Sequence, residues 1–156
     1  MNAEVRRLLG ELLLTPRTLA LGVLVDGAPH LGLVPFALAD DRRAAYVHVS
    51  RLARHSLGLE DGAPMAVLLH APESPGTDPA ELPRLSLSGV AEPLLEGHPE
   101  YPSARAAYLG RFPGLEVTFT LADFRLVALR FREGRLVGGF ARAYDVTPAD
   151  LAAAGT

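Results

Sequence analysis

The chain contains no cysteine, no tryptophan and no lysine, so all 15 of its basic side chains are arginine. Without cysteine there is no disulfide, no thiolate metal site and no cysteine nucleophile. No stretch approaches the roughly 18 uninterrupted apolar residues of a membrane span. The start, MNAEVRRLLGELLLTPRT, mixes polar and apolar residues and lacks the apolar core of a signal peptide. Together these predict a cytoplasmic chain with no membrane contact. A formal net charge of −3 gives no general attraction to nucleic acid, and neither a basic stripe nor an aromatic platform is present. Any anion site must then be a local cluster of arginines. HExxH, GxSxG, a Walker loop and GxGxxG are all missing. His30, His48, His55, His70 and His98 show no close pair at ligand spacing, so no metal site is expected. Carboxylates such as Glu116 and Asp123 show no pairing that marks acid–base work, and no catalytic residue can be named.

What is present describes one globular domain over residues 1–156, with 49% apolar and 21% charged residues and no repeat or linker. Val5, Leu8, Leu9, Leu12 and Leu13 recur at helical spacing and predict an amphipathic helix that Thr15-Pro16 stops. TLALGVLV and HLGLVPFALA then flank Asp26-Gly27, a hairpin signal, and AAYVHV follows a polar turn at Asp40–Arg43. RLARHSLGLE predicts a short helix with Ser50 as its N-cap. PMAVLLH and RLSLSGVAEPL predict two more strands, separated by a proline-rich exposed loop. SARAAYLGRF predicts a helix, and FRLVALRFREGRLVGGFARAY a hairpin turning at Glu133-Gly134. Thr147, Pro148 and Asp150 form the N-terminal signature of a last helix. Short strands joined by tight turns must be antiparallel. So many of them predict a mainly β (α+β) barrel or sandwich with short peripheral helices.

The sharpest chemical feature is YVHVSRLARHSLGL, a strand running into a helix. Arg51, Arg54 and His55 are spaced i, i+3 and i+4 and would share one face, where like charges repel by a few tenths of a kcal/mol. A bound dianion reverses that sign, with helix N–H groups and the Ser50 hydroxyl as further donors. A solvated basic helix face explains the same letters. Val34 and Pro35 would offer strand backbone to a planar ring, or Pro35 protects a sheet edge. Arg84 would face the ring's polar edge, or form a surface salt bridge. Gly138-Gly139 permits close backbone approach, with Phe140 to cover a ring, or marks a barrel bend.

The order DGAPHLGLVPF, YVHVSRLARHSLGL, MAVLLH, PRLSLSGVAEPL and RLVGGFARAY resembles the pyridoxamine 5′-phosphate oxidase-like FMN-binding split-barrel superfamily. The likeness is to the branch with the haem-utilisation proteins, where "strand, Ser, Leu-Ala, His" and "Val-Gly-Gly-Phe" recur. The resemblance implies a six-stranded antiparallel split β-barrel, a homodimer with cofactor sites between subunits, and FMN as cofactor of an oxidoreductase of unknown substrate. It puts the phosphate-binding segment on Ala53-Arg54-His55 after Ser50, and Arg84 near the isoalloxazine. His55 standing for a permanent cation would make the phosphate grip depend on its protonation. The substrate-holding Arg-x-His of the true oxidases is here Arg142-Ala143-Tyr144, so pyridoxamine 5′-phosphate is not the expected substrate. Haem binding without flavin, the deazaflavin F420, and a cofactor-less structural dimer stay open beside FMN.

Overall fold

The computed structural model describes residues 1–139 and 142–155. Eight strands form one antiparallel sheet: β1 (Thr18–Val25), β2 (Ala28–Pro35), β3 (Ala37–Leu38), β4 (Ala44–Ser50), β5 (Pro64–His70), β6 (Arg84–Leu94), β7 (Phe124–Val137) and β8 (Ala143–Val146). Three helices stand outside it: α1 (Ala3–Leu14), α2 (Tyr101–Arg111) and α3 (Pro148–Ala152). The six expected strands are the long ones; β3 and β8 are short additions of 2 and 4 residues. Among the described residues no helix is long and apolar enough to cross a membrane.

The strand order is β2-β1-β5-β6-β7-β4-β3, with β8 on β7. β2 and β3 are separated in sequence by Phe36 alone, yet they stand at opposite ends of that order. One continuous piece of chain therefore pairs with β1, changes partner at Pro35-Phe36, and pairs with β4. This closes the sheet on itself. Pro35 has no N–H to donate, so the β1 ladder ends where the proline stands, opposite Thr18. Phe36 is fully buried, and Arg111 holds the switch by donating to the Phe36 carbonyl at 3.1 Å with its guanidinium 4.9 Å from the Phe36 ring.

The barrel interior is filled by alternate side chains, among them Leu19, Leu21 and Val23 of β1, Met65, Val67 and Leu69 of β5, and Leu85 and Leu87 of β6. α1 plugs one end with Val5, Leu9, Leu12 and Leu13, its first turn capped by the Asn2 side chain accepting from Val5 N–H. A second apolar layer lies between α2 and the outer face of β4 and β7, built on Tyr46, Leu94, Ala104 and Leu126. The outer face of β2, β1 and β5 has no such cover, and Leu31 and Leu33 there are 81% and 73% exposed.

The Glu133-Gly134 turn is not found. β7 runs straight through both residues, and the hairpin to β8 turns after Val137 instead. Gly134 is there because a Cβ would run into the Leu87 side chain and the Ser86 carbonyl of β6. Its missing side chain serves close strand packing, not a reversal.

Candidate functional site

The segment after β4 was expected to cradle a phosphate. Ser50 ends β4 opposite Phe124, and its hydroxyl donates to Asp123 Oδ2 at 2.7 Å while accepting from Leu52 N–H at 3.1 Å. Arg51 N–H donates to the Asp123 carbonyl at 2.7 Å. These bonds keep residues 50–51 tied to the entry of β7, so Ser50 does not cap a helix. The helix is instead a five-residue 3-10 turn, Arg54–Gly58, entered from Ala53 with no side-chain cap. Arg51 lies outside it, and the shared face with Arg54 and His55 does not form. Both arginines are exposed, with no ion-pair partner among the described residues.

His55 differs most from expectation. Its ring packs over Gly32 of β2 so closely that a Cβ at Gly32 would lie 2.5 Å from Nδ1. Nε2 is buried without a hydrogen-bond partner. Burial pushes the imidazole pKa down from its usual value, which favours the neutral ring over the imidazolium expected beside a phosphate. Val34, with its side chain buried in the barrel, and half-buried Pro35 follow Gly32 on the same strand. Arg84 is elsewhere: it stands opposite Val137, whereas Ser50 stands opposite Phe124, the two ends of β7. The strand path between them is about 40 Å. Arg84 Nη1 donates to the Ala80 and Leu82 carbonyls at 3.2 and 3.1 Å. Phe140 lies outside the described residues.

A phosphate dianion needs converging N–H and cationic donors. Here the serine hydroxyl is given to a carboxylate, whose own charge opposes a dianion, and the imidazole is packed, with burial favouring its neutral form. Within one subunit these residues do not fit a flavin phosphate. Asp123 was the partner that sequence reasoning missed.

The other four histidines separate by what their nitrogens do. His98 uses both: Nε2–H donates to Glu92 at 2.9 Å and Nδ1 accepts from Glu100 N–H at 3.0 Å. The same two carboxylates bind Arg130, which holds both below the usual carboxylate range, so that cluster is internally neutralised. His48 Nδ1–H donates to Thr118 Oγ1 at 3.0 Å, since the threonine hydroxyl is itself donating to the Leu115 carbonyl. Its ring stacks on Phe119 at 3.7 Å, and burial with nearby Arg105 pushes its pKa down to about 4. The cleft it lines is small, about 280 Å³. His70, exposed at the end of β5, donates from Nδ1–H to the Ala71 carbonyl at 2.7 Å. A carbonyl only accepts, so the neutral ring carries its proton on Nδ1 and a lone pair on Nε2. The His30 ring, on β2, has no hydrogen bond among the described residues. No three His, Asp or Glu side chains among the described residues come together as a cage for a bare ion.

No protein-family model matches the chain. It is 28% identical over 138 residues to the heme oxygenase HutZ of Vibrio cholerae, covering 86% of this chain and 77% of that protein. A heme binding protein from Mycobacterium smegmatis superposes with a TM-score of 0.82 at 27% identity, over 98% of this chain. The chain spans 62% of that structure's length, less than two thirds. A Clostridium acetobutylicum protein related to general stress protein 26, of the pyridoxinephosphate oxidase family, matches over 97% of this chain and 99% of its own with a TM-score of 0.68. At 12% identity that likeness is one of fold alone. The strand order and the closure through β2 and β3 give the chain a split-barrel fold, shared with the pyridoxinephosphate oxidase-family protein, and its sequence is similar to those of HutZ and the Mycobacterium smegmatis heme binding protein.

Proposed function

We propose that the chain binds haem and takes part in haem handling, in preference to acting as a flavoprotein. The observation that carries this reading is the Ser50–Asp123 hydrogen bond of 2.7 Å, which puts a carboxylate where a flavin's phosphate would need donors. F420 also carries phosphate and meets the same obstacle. Haem asks for something different: one axial side chain and apolar contact around it. Neutral imidazoles with a free lone pair meet the first need, and the absence of a bare-ion cage among the described residues is no obstacle. The two relatives named as a heme oxygenase and a heme binding protein support the same direction. Bound haem would supply iron redox chemistry, while the chain positions it and sets its surroundings.

The assembly belongs to the same proposal. Leu24, Leu31, Leu33 and Leu68 form an exposed apolar face on β1, β2 and β5 that no charged residue interrupts. Monomers rarely leave such a face open, and a second copy of the chain offers its own face in a two-fold arrangement.

Titrating the purified protein with ferric haem and, separately, with FMN tests the ligand. A saturable Soret shift, with FMN fluorescence unchanged, is the expected result. Saturable quenching of FMN with a rise in Tm, and no Soret shift with haem, would overturn it.

A further inference from the structure

His48 carries a nitrogen that packing does not explain. The residue stands on β4 opposite Leu126, is only 9% exposed, and touches Tyr108 and Phe119 in the layer beneath α2. Its Nδ1–H is committed to Thr118 Oγ1, so the neutral ring can only accept, and only through Nε2. Nε2 has no hydrogen bond among the described residues, yet it is not fully enclosed as His55 Nε2 is. Leucine or phenylalanine would fill the same place without burying an unpaired acceptor. The imidazole gains from its position only when a donor reaches Nε2.

The way to that nitrogen is the cleft of about 280 Å³ that the ring lines. Half-buried Phe119, Phe124 and Tyr101 wall it, and Leu95 and Leu121, 61% and 45% exposed, leave its rim apolar. The Phe119 and Phe124 rings lie 3.7 and 5.3 Å from the imidazole, so an occupant meets aromatic surface on entry. Such surface receives flat rings, stacked or edge-on. The volume lies just below the usual range for small-molecule sites, which limits the occupant to one ring or two fused rings. Charge selects no sign. Arg51 and Glu96 line the cleft with opposite charges, while Arg125 gives its guanidinium to the Ser56 carbonyl and to Glu60. An uncharged occupant loses least on entering.

We propose that this cleft binds a small uncharged aromatic molecule that donates one N–H or O–H to His48 Nε2. The site is independent of the haem reading and stands or falls without it. The full chain is titrated with indole, and in competition with benzofuran, which has the same shape and no N–H. The chain contains no tryptophan, so indole emission is read against tyrosine alone. A saturable blue shift of that emission is expected, with indole binding about tenfold more tightly than benzofuran. The ¹⁵N resonance of His48 Nε2 should move as indole binds. His48→Phe keeps an aromatic ring in the layer and should bring the two affinities together. If that variant does not fold, the benzofuran comparison and the ¹⁵N shift on the unmodified protein decide the matter. The proposal is overturned by an absence of saturable binding, by equal affinity for indole and benzofuran in the unmodified protein, or by indole binding that leaves the His48 resonance in place.

Discussion

At the scale of single residues, burial of an imidazole makes part of the molecule's stability depend on pH. His48 sits among Phe119, Phe124 and Tyr108, and its pKa falls from 6.5 to about 4. The unfolded chain therefore takes up the proton more readily than the folded one between those values. The associated stability is complete above the unfolded value and is lost as pH falls toward the folded one, a change on the order of 3 kcal/mol. The expected observation is an NMR titration of the His48 ring with its midpoint near 4, together with a urea stability that drops from pH 6.5 downward. That drop should shrink in His48→Asn. A midpoint at the ordinary histidine value would show that the ring is not desolvated. The same scale explains why the candidate site was only half legible. Ser50, Arg54 and His55 were readable as letters, but their chemistry is decided by Gly32 on another strand and by Asp123, 73 residues from Ser50. A local window contains neither partner.

Elements whose cause is local were read from sequence, and those set by packing were not. Asp26 and Gly27 take φ of 52° and 77°, as the hairpin signal requires, and the Thr147–Asp150 capping box forms around α3. β3 had no signal, because two residues carry no period and its identity comes from β4 alongside. Glycine was the ambiguous letter. Gly89 marks the register shift in the β6–β7 ladder, and a Cβ there would collide with the Arg130 carbonyl, a backbone atom that cannot rotate aside. Gly89→Ala should cost about 1–3 kcal/mol by overpacking. Gly114→Ala, with open space around it, should stay within about 1 kcal/mol of the parent. Urea denaturation of the two variants side by side measures the difference, and equal midpoints would mean that the bulge is not held by the missing side chain.

For the whole molecule, the proposed pairing of two copies rests on the bare face of β1, β2 and β5. Leu33 lies opposite Ala20, which in turn lies opposite Leu68, so small and large apolar groups alternate across three strands. Leu33→Glu should convert a dimer to a folded monomer, seen by sedimentation velocity with unchanged far-UV circular dichroism. A parent chain that sediments as a monomer at tens of micromolar would remove the basis for the dimer. The partner change at Pro35-Phe36 has a further consequence, in time instead of space. β2 can fold back on β1 as soon as both have been synthesised, but β3 gains its neighbour only beside β4, and β4 pairs with β7, Ala44 meeting Arg130. The ring is thus incomplete until most of the polypeptide has left the ribosome. During that interval the hairpin keeps an unpaired edge and exposed leucines, the two features that leave partly folded chains open to association with the wrong partner.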